Sequence, residues 1–222
     1  MQVGELLSIQ VGKVQRHLMP DGPARDGRNA VWNSGIFKHH VAGAVQVSKN
    51  GISGDEQYDL VNHGGPDNVV LAYNIAHYAG WRSALTLPDL GPGGFGENFT
   101  VSGFSDEDVC IGDIWHVGPQ LRLQVTQARQ PCFKLARRLE RMEVVKLVRE
   151  SSHGGWYLRV LQEGPAEVGM PIHLWERLHP DWPIARAVQT MYTRKRQPAP
   201  AEALSRLSEL SSRWKEELLN IS

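Results

Sequence analysis

A β-barrel with peripheral helices, followed by a small helical bundle, is the fold class that this 222-residue chain predicts. Three observations carry it. Up to residue 177 the chain consists mostly of short extended segments punctuated by glycine. Those segments lack the regular crossover helices that a doubly wound sheet requires. Near "ERLHPDWP" the composition changes, and from there the pattern is helical to the end. The chain accordingly divides into residues 1–177, mainly β with α, and residues 178–222, a bundle of short helices.

The extended segments are, in order, "ELLSIQVG", "GAVQVS", "NVVLAY", "ENFTVSG", "DIWHVG", "LRLQVTQ", "WYLRVLQ" and "PIHLWER". Each is rich in β-branched or aromatic residues, which suit a pleated, half-buried surface. In "LRLQVTQ", Leu121, Leu123 and Val125 alternate with Arg122, Gln124 and Thr126, which predicts a strand buried on one side only. Two stretches read as helices instead. "NIAHYAGWRSAL" has Asn74 as a cap, and "FKLARRLERMEVVKLVRESS" repeats Leu135, Leu139 and Met142 at helical spacing. In the second region "PIARAVQTMYTRK" and "PAEALSRLSELSSRWKEELL" each begin with proline at a first helical position, after a cap offered by Asp181 and a break at "RQPAP".

Composition removes several function classes. Lys plus Arg equals Asp plus Glu at 24 each, so no global field draws the protein to nucleic acid or an acidic membrane, and any anion site is local. From residue 178 onward seven Lys/Arg face five Asp/Glu, too even for a DNA-recognition helix. Packing or self-association as a homodimer is the reading kept for these helices. The first residues do not pair a basic segment with an apolar one, and no apolar run approaches the roughly 20 residues of a bilayer span. The expected address is the cytoplasm. With Cys110 in a strand-like "VCIGD" and Cys132 in a loop, both cysteines read as thiols outside any disulfide framework.

"GPGGFG", residues 91–96, spells the dinucleotide fingerprint, but a strand-like segment follows it where a helix is required. It reads as a tight turn, or as the bare floor of a cleft with Glu97 and Asn98 beside it. In "GDEQYDLVNHGGPDNVVLAY", His63, Gly64 and Gly65 offer backbone N–H groups next to an imidazole, an arrangement able to bind an anion. Ser34 and Lys38 in "WNSGIFKHH" suit phosphate contacts. In "TQARQPCFKL", Cys132 precedes a helix-like run, with Arg129 and Lys134 close by. That setting favours its thiolate, the form that acts as nucleophile or soft-metal ligand.

Taken in order, "GDEQYD", "NHGGPD", "GGFGENFT", "VCIGD", "QARQPCFKL" and "GGWYLRVLQEG" resemble the MOSC domain, and within it the YiiM-like proteins, which add a three-helix domain after a MOSC-type β-barrel. The resemblance implies a site for molybdenum cofactor, a pyranopterin with one phosphate and a dithiolene. It makes Cys132 the thiolate ligand to the metal, with Ser34, Lys38, Asp55, His63, Gly64, Gly65, Asn98 and Arg129 as the cofactor-binding residues. A phosphate or sulfate could take the same anion site in the cofactor's absence. The implied activity is reduction of N-hydroxylated compounds such as 6-N-hydroxylaminopurine, which detoxifies base analogues with electrons from a flavoprotein reductase. The chemistry agrees. Removing oxygen from N–OH needs a two-electron centre, and a dithiolene that donates two sulfurs leaves one soft ligand for the protein to add. A protein that stores the cofactor or carries sulfur on Cys132 without turnover is the alternative.

Overall fold

The structure is a computed structural model, and it describes residues 2–18, 31–58 and 64–220. Thirteen strands are described. They are β1 (Val3–Val11), β2 (Gln15–Leu18), β3 (Val31–Ser34), β4 (His39–His40), β5 (Val45–Ser48), β6 (Gly51–Ile52), β7 (Val70–Asn74), β8 (Phe99–Ser102), β9 (Ile114–Val117), β10 (Leu121–Ala128), β11 (Trp156–Gln162), β12 (Gly164–Ala166) and β13 (Pro171–Glu176). Six helices are described with them: α1 (His77–Leu85), α2 (Phe133–Leu139), α3 (Val144–Ser151), α4 (Ile184–Thr193), α5 (Pro198–Ser205) and α6 (Ser212–Leu219).

Seven strands close into a barrel in the order β13-β9-β10-β11-β7-β8-β1, with β1 pairing back onto β13. Closure leaves no open edge on the main sheet except where β4 joins the end of β1. A register shift between Leu6 and Ser8 lets β1 leave β13 and run on along β8. All neighbours in the ring are antiparallel except β7 and β8. A parallel pair needs a long crossover, and this one contains α1 and the glycine-rich residues 91–96, which brings that loop back to the barrel rim.

The barrel is filled by side chains. Leu6, Ile9, Phe99, Val101, Leu123, Val125, Leu158 and Ile172 are buried in it, with Phe104 stacked on Trp115 at 4.4 Å and Trp156 edge-on to Trp115 at 5.8 Å. A second apolar cluster joins Tyr73 to α1, Phe95, α2 and α3 outside the barrel wall.

The sequence-predicted strands all lie where expected, but five local expectations are corrected. The outer face of β10 is not exposed: Gln124 and Thr126 are buried, because α4 packs across the strand and the segment before α6 bonds to it. Thr126 Oγ1 donates to the carbonyls of Asp67 and Tyr157 at 2.7 and 3.1 Å, and the Ser211 N–H donates to the Thr126 carbonyl at 3.1 Å. The run 133–152 is two helices. Glu140 turns into the left-handed region (φ 53°) after α2, and Met142 is exposed instead of continuing the buried stripe. Likewise Ser211 begins a new helix by accepting the Trp214 N–H, so the last stretch is split into α5 and α6. Asn74 ends β7 and accepts the Ala76 N–H at 2.9 Å, two residues before the position of a true cap. Asp181 does not cap α4, whose N-terminal flank is Pro183. Trp182, Ile184, Val188, Leu204, Trp214 and Leu218 share one continuous core with the barrel interior. No helix among the described residues is long and apolar enough to cross a membrane.

Candidate functional site

Ala128, Trp156, Ala72 and Phe99 pair in one lateral row across β10, β11, β7 and β8. The chain leaves the barrel just beyond this row, and there a cleft of about 90 Å³ opens. Ser34, Lys38, Asn98, Arg129 and Cys132 all line it, together with Glu56, Tyr58, Leu71, Phe95, Gly96, Lys134 and Tyr157. Five of the residues selected from sequence are thus brought to one place. Asp55 lies behind them as their support. Gly64 and Gly65 do not line the cleft, and their carbonyls accept bonds from Asn68 instead. His63 lies outside the described residues.

The support is built on one carboxylate. Asp55 Oδ1 accepts the Gly12 N–H at 2.8 Å and also pairs with Lys38 Nζ, while Oδ2 accepts from Asn98 Nδ2 at 2.9 Å. Burial lowers the Lys38 pKa from its ordinary value, and the adjacent Asp55 charge opposes that shift. Asn98 also donates to the Gln10 carbonyl at 3.2 Å and accepts the Leu71 N–H at 3.2 Å, so its amide joins β1, β7 and the approach to β8. The Ser34 side chain is buried at the end of β3, where its Oγ accepts the Ile36 N–H at 3.2 Å.

The glycine-rich turn is wrapped around a second buried carboxylate. Glu97 Oε1 accepts from Gly93 N at 2.7 Å, Thr100 Oγ1 at 2.9 Å and the Tyr78 phenol at 2.5 Å, and Oε2 accepts the Phe95 N–H at 3.1 Å. Arg138 from α2 donates to the carbonyls of Gly93 and Gly94 at 2.7 and 2.8 Å. Gly96 has φ 75°, and a Cβ there would meet Ile36 Cγ1 at 2.6 Å, so a side chain is excluded at the cleft floor. The tight-turn expectation for "GPGGFG" is met, but the bare-floor expectation is met only at Gly96: Gly93, Gly94 and Glu97 do not line the cleft, Phe95 does, and the Glu97 carboxylate turns back into the loop.

Cys132 is half-buried, extended at φ −129°, and directly precedes α2. With only seven residues, that helix exerts a smaller dipole than the sequence reading assumed. The cations at the cleft are side chains: Arg129 and Lys134 line it together with Lys38, whose charge Asp55 offsets, and with Glu56, which is engaged by Lys13 at 3.0 Å and by the Val14 N–H at 2.9 Å. Arg129 is only 6% exposed, and its Nη1 has no hydrogen-bond partner among the described residues. Cys110 is the contrasting thiol. It sits in a β-bridge to Pro183, not in a strand, and burial pushes its pKa up to about 11.

Sequence reasoning had no site role for Tyr157 or Tyr58, and gave Lys134 only the role of favouring the Cys132 thiolate, not a place in the cleft lining. Tyr157 lies on β11 opposite Leu71 and lines the cleft, its phenol raised above the ordinary value chiefly by burial. Lys134 Nζ lies 5.5 Å from the centre of the Tyr58 ring, a cation–π contact at the cleft lip. All three residues stand inside the quoted motifs, "GGWYLRVLQEG", "GDEQYD" and "QARQPCFKL", and only the folded geometry distinguishes them from their neighbours.

The MOSC domain profile matches residues 59–173. YflK of Bacillus subtilis (strain 168), an uncharacterized protein, is 40% identical over 172 residues, which is 78% of this chain and 73% of that one. A protein named reductase from Gibberella moniliformis is 34% identical over 193 residues, 86% of this chain but 33% of that protein, so the chain spans about a third of that relative. The crystal structure of YiiM from Geobacillus stearothermophilus has a TM-score of 0.80 with 31% identity, covering 99% of this chain and 100% of that one. From the closed barrel, the ordered motifs and these likenesses together, the chain belongs to the MOSC domain family, in its YiiM-like branch.

Proposed function

We propose that the cleft holds molybdenum cofactor and that the protein reduces N-hydroxylated compounds such as 6-N-hydroxylaminopurine in the cytoplasm, with electrons from a separate flavoprotein reductase. Arg129 carries the reading. Its Nη1 is a buried donor without a partner, in the wall of the same cleft as Cys132. An unsatisfied buried donor costs roughly 1–3 kcal/mol, more when charged, and an anionic group in the cleft removes that cost. MOSC domains are associated with a cofactor that has such a group, its phosphate.

The donor set fits. Cys132 offers one soft thiolate, the number left over when a dithiolene supplies the others. Arg129, Lys38 and the Ser34 hydroxyl provide donors for phosphate and pterin oxygens. When bound, the cofactor supplies a two-electron redox centre. The remaining work belongs to the chain. Asp55 holds Lys38 and Asn98 in place, and Ile36, Leu71 and Phe95 make the apolar part of the wall. Tyr157 keeps its proton at neutral pH and can donate a hydrogen bond to a substrate oxygen. The net change is R–NHOH plus two electrons and two protons to R–NH2 and water, with the N–O bond broken.

The test is molybdenum per chain, measured on protein from a cofactor-competent host and from a cofactor-deficient one, with turnover of 6-N-hydroxylaminopurine under an artificial reductant. Stoichiometric molybdenum with turnover supports the reading. Molybdenum without turnover favours storage or delivery, and a persulfide on Cys132 without metal dependence favours sulfur carriage.

A further inference from the structure

The last helix reaches the back of the cleft wall. Gln130, between Arg129 and the Pro131–Cys132 pair, donates from Nε2 to Glu217 Oε2 on α6 at 3.0 Å. Glu217 is in turn held by Arg213 one turn earlier, at 2.7 Å. The start of α6 is fastened to the barrel independently. Ser211 Oγ bonds Gln127 Oε1, the Ser211 N–H donates to Thr126, and the Ser212 N–H donates to Asp67 Oδ2 at 3.2 Å. Trp214, fully buried on the same helix, lines with Arg129, Gln130 and Pro131 a cavity of about 10 Å³, too small for anything beyond a single water.

The segment 129–132 therefore has two sides. One presents Arg129 and Cys132 to the cleft, and the other rests on α6. Within the segment the Arg129 N–H donates to the Gly155 carbonyl at 2.9 Å, and the Cys132 carbonyl accepts the Leu135 N–H at 3.1 Å. Of the residues between those two anchors, Gln130 is the one whose side chain bonds the C-terminal helices. A loop that carries both a cation and a thiol must hold them within a fraction of an ångström for either to act on a bound group, and such precision comes from the residues behind the site.

We propose that Glu217 is a positioning residue, which acts through Gln130 to fix the Arg129–Cys132 segment, and that this is the contribution of α6 to the site. The inference rests on the assignment of Arg129 and Cys132 to the functional cleft, but not on the reaction carried out there. It gives the C-terminal helices a part in the site beyond packing. Loosening the tether lets the segment move away from the wall and exposes the Cys132 thiol more often.

The experiment is the rate of Cys132 alkylation by iodoacetamide in full-length cofactor-free protein, at one fixed pH and well below every variant's melting temperature. Glu217→Ala and Gln130→Ala should each raise the rate about fivefold, the worth of one net hydrogen bond. Glu217→Gln, which keeps an oxygen able to accept from Gln130, should return to the wild-type rate, and the double alanine variant should be no faster than either single one. Wild-type rates in both single variants would overturn the proposal, as would effects that multiply in the double variant or a Glu217→Gln protein as fast as Glu217→Ala. Should Glu217→Ala not fold, Gln130→Ala and Glu217→Gln decide the matter by the same criteria. A wild-type protein that takes up no molybdenum would defeat the proposed function while leaving this result standing.

Discussion

Lys38 and Asp55 form an ion pair in which the two side chains are only 7% and 4% exposed, and the same carboxylate holds Gly12 and Asn98. Removing one member leaves the other charge buried without its counterion. Asp55→Ala should therefore destabilise the protein by about 3–5 kcal/mol, far more than a surface pair would. Urea denaturation of Asp55→Ala beside a Lys13→Ala control at the exposed Lys13–Glu56 pair checks this. Equal losses in the two variants would mean that Asp55 is not the keystone described.

Arg129 and Lys38 should separate when each is replaced by alanine. Arg129 Nη1 has no bond to lose, so Arg129→Ala should lower molybdenum retention, by about 1–3 kcal/mol in affinity, with a small change in melting temperature. Lys38→Ala should lower both, because it strips Asp55 of its partner. Molybdenum content and thermal denaturation of the two variants, purified side by side, give the comparison, and unchanged molybdenum in both would remove them from the site.

The two thiols should differ in reactivity and in function. Cys110 is 2% exposed with its pKa raised to about 11, whereas Cys132 lines an open cleft. Limiting iodoacetamide at neutral pH should label Cys132 first, as peptide mass spectrometry would show. Cys132→Ser should abolish reductase turnover and weaken molybdenum binding, since a protonated hydroxyl is a poor soft-metal ligand, while Cys110→Ser keeps most of both. A fully active Cys132→Ser enzyme would end the proposed ligation.

Alkaline pH should unfold the protein earlier than the loss of its surface charges would. Burial raises the phenols of Tyr73, Tyr78 and Tyr157 above their ordinary value. The folded state then keeps protons that the unfolded state releases, so this stability is fully present below pH 10 and is lost as pH climbs past it. Lys38 works in the opposite direction, its pKa being lowered, but it is one group against three. Urea midpoints measured between about pH 8 and pH 11 should fall, and Tyr157→Phe should reduce the slope. A flat profile would contradict the burial of these phenols.

Much of the barrel was legible because its strands carry local signals. Trp156, Leu158 and Val160 alternate with partly exposed neighbours, and glycines mark the turns between strands. The outer face of β10 was not legible, since Gln124 and Thr126 look like solvent-facing residues until α4 and Ser211 arrive from some 60 or more positions later. The break after Leu139 was hidden because Glu140 is an ordinary helix former and nothing local dictates its positive φ. At the site, residue types announced Cys132, Arg129 and Lys38. Tyr157 reads as one more strand aromatic, and only its pairing opposite Leu71 turns it toward the cleft. Asn98 was selected as a contact, whereas its amide is largely occupied in holding three chain segments together.

The return of β1 onto β13 pairs Val3 with His173, residues that leave the ribosome at opposite ends of the barrel's synthesis. During translation the first strand must wait, unpaired on one edge, until nearly the whole barrel has emerged. That delay makes ring closure a late event and this topology a slow one to complete, because the loop entropy is lost before the long-range pairing can compensate it. Nascent chains stalled before residue 171 would carry an open sheet with two sticky edges, and such species are the ones that chaperones would be expected to meet.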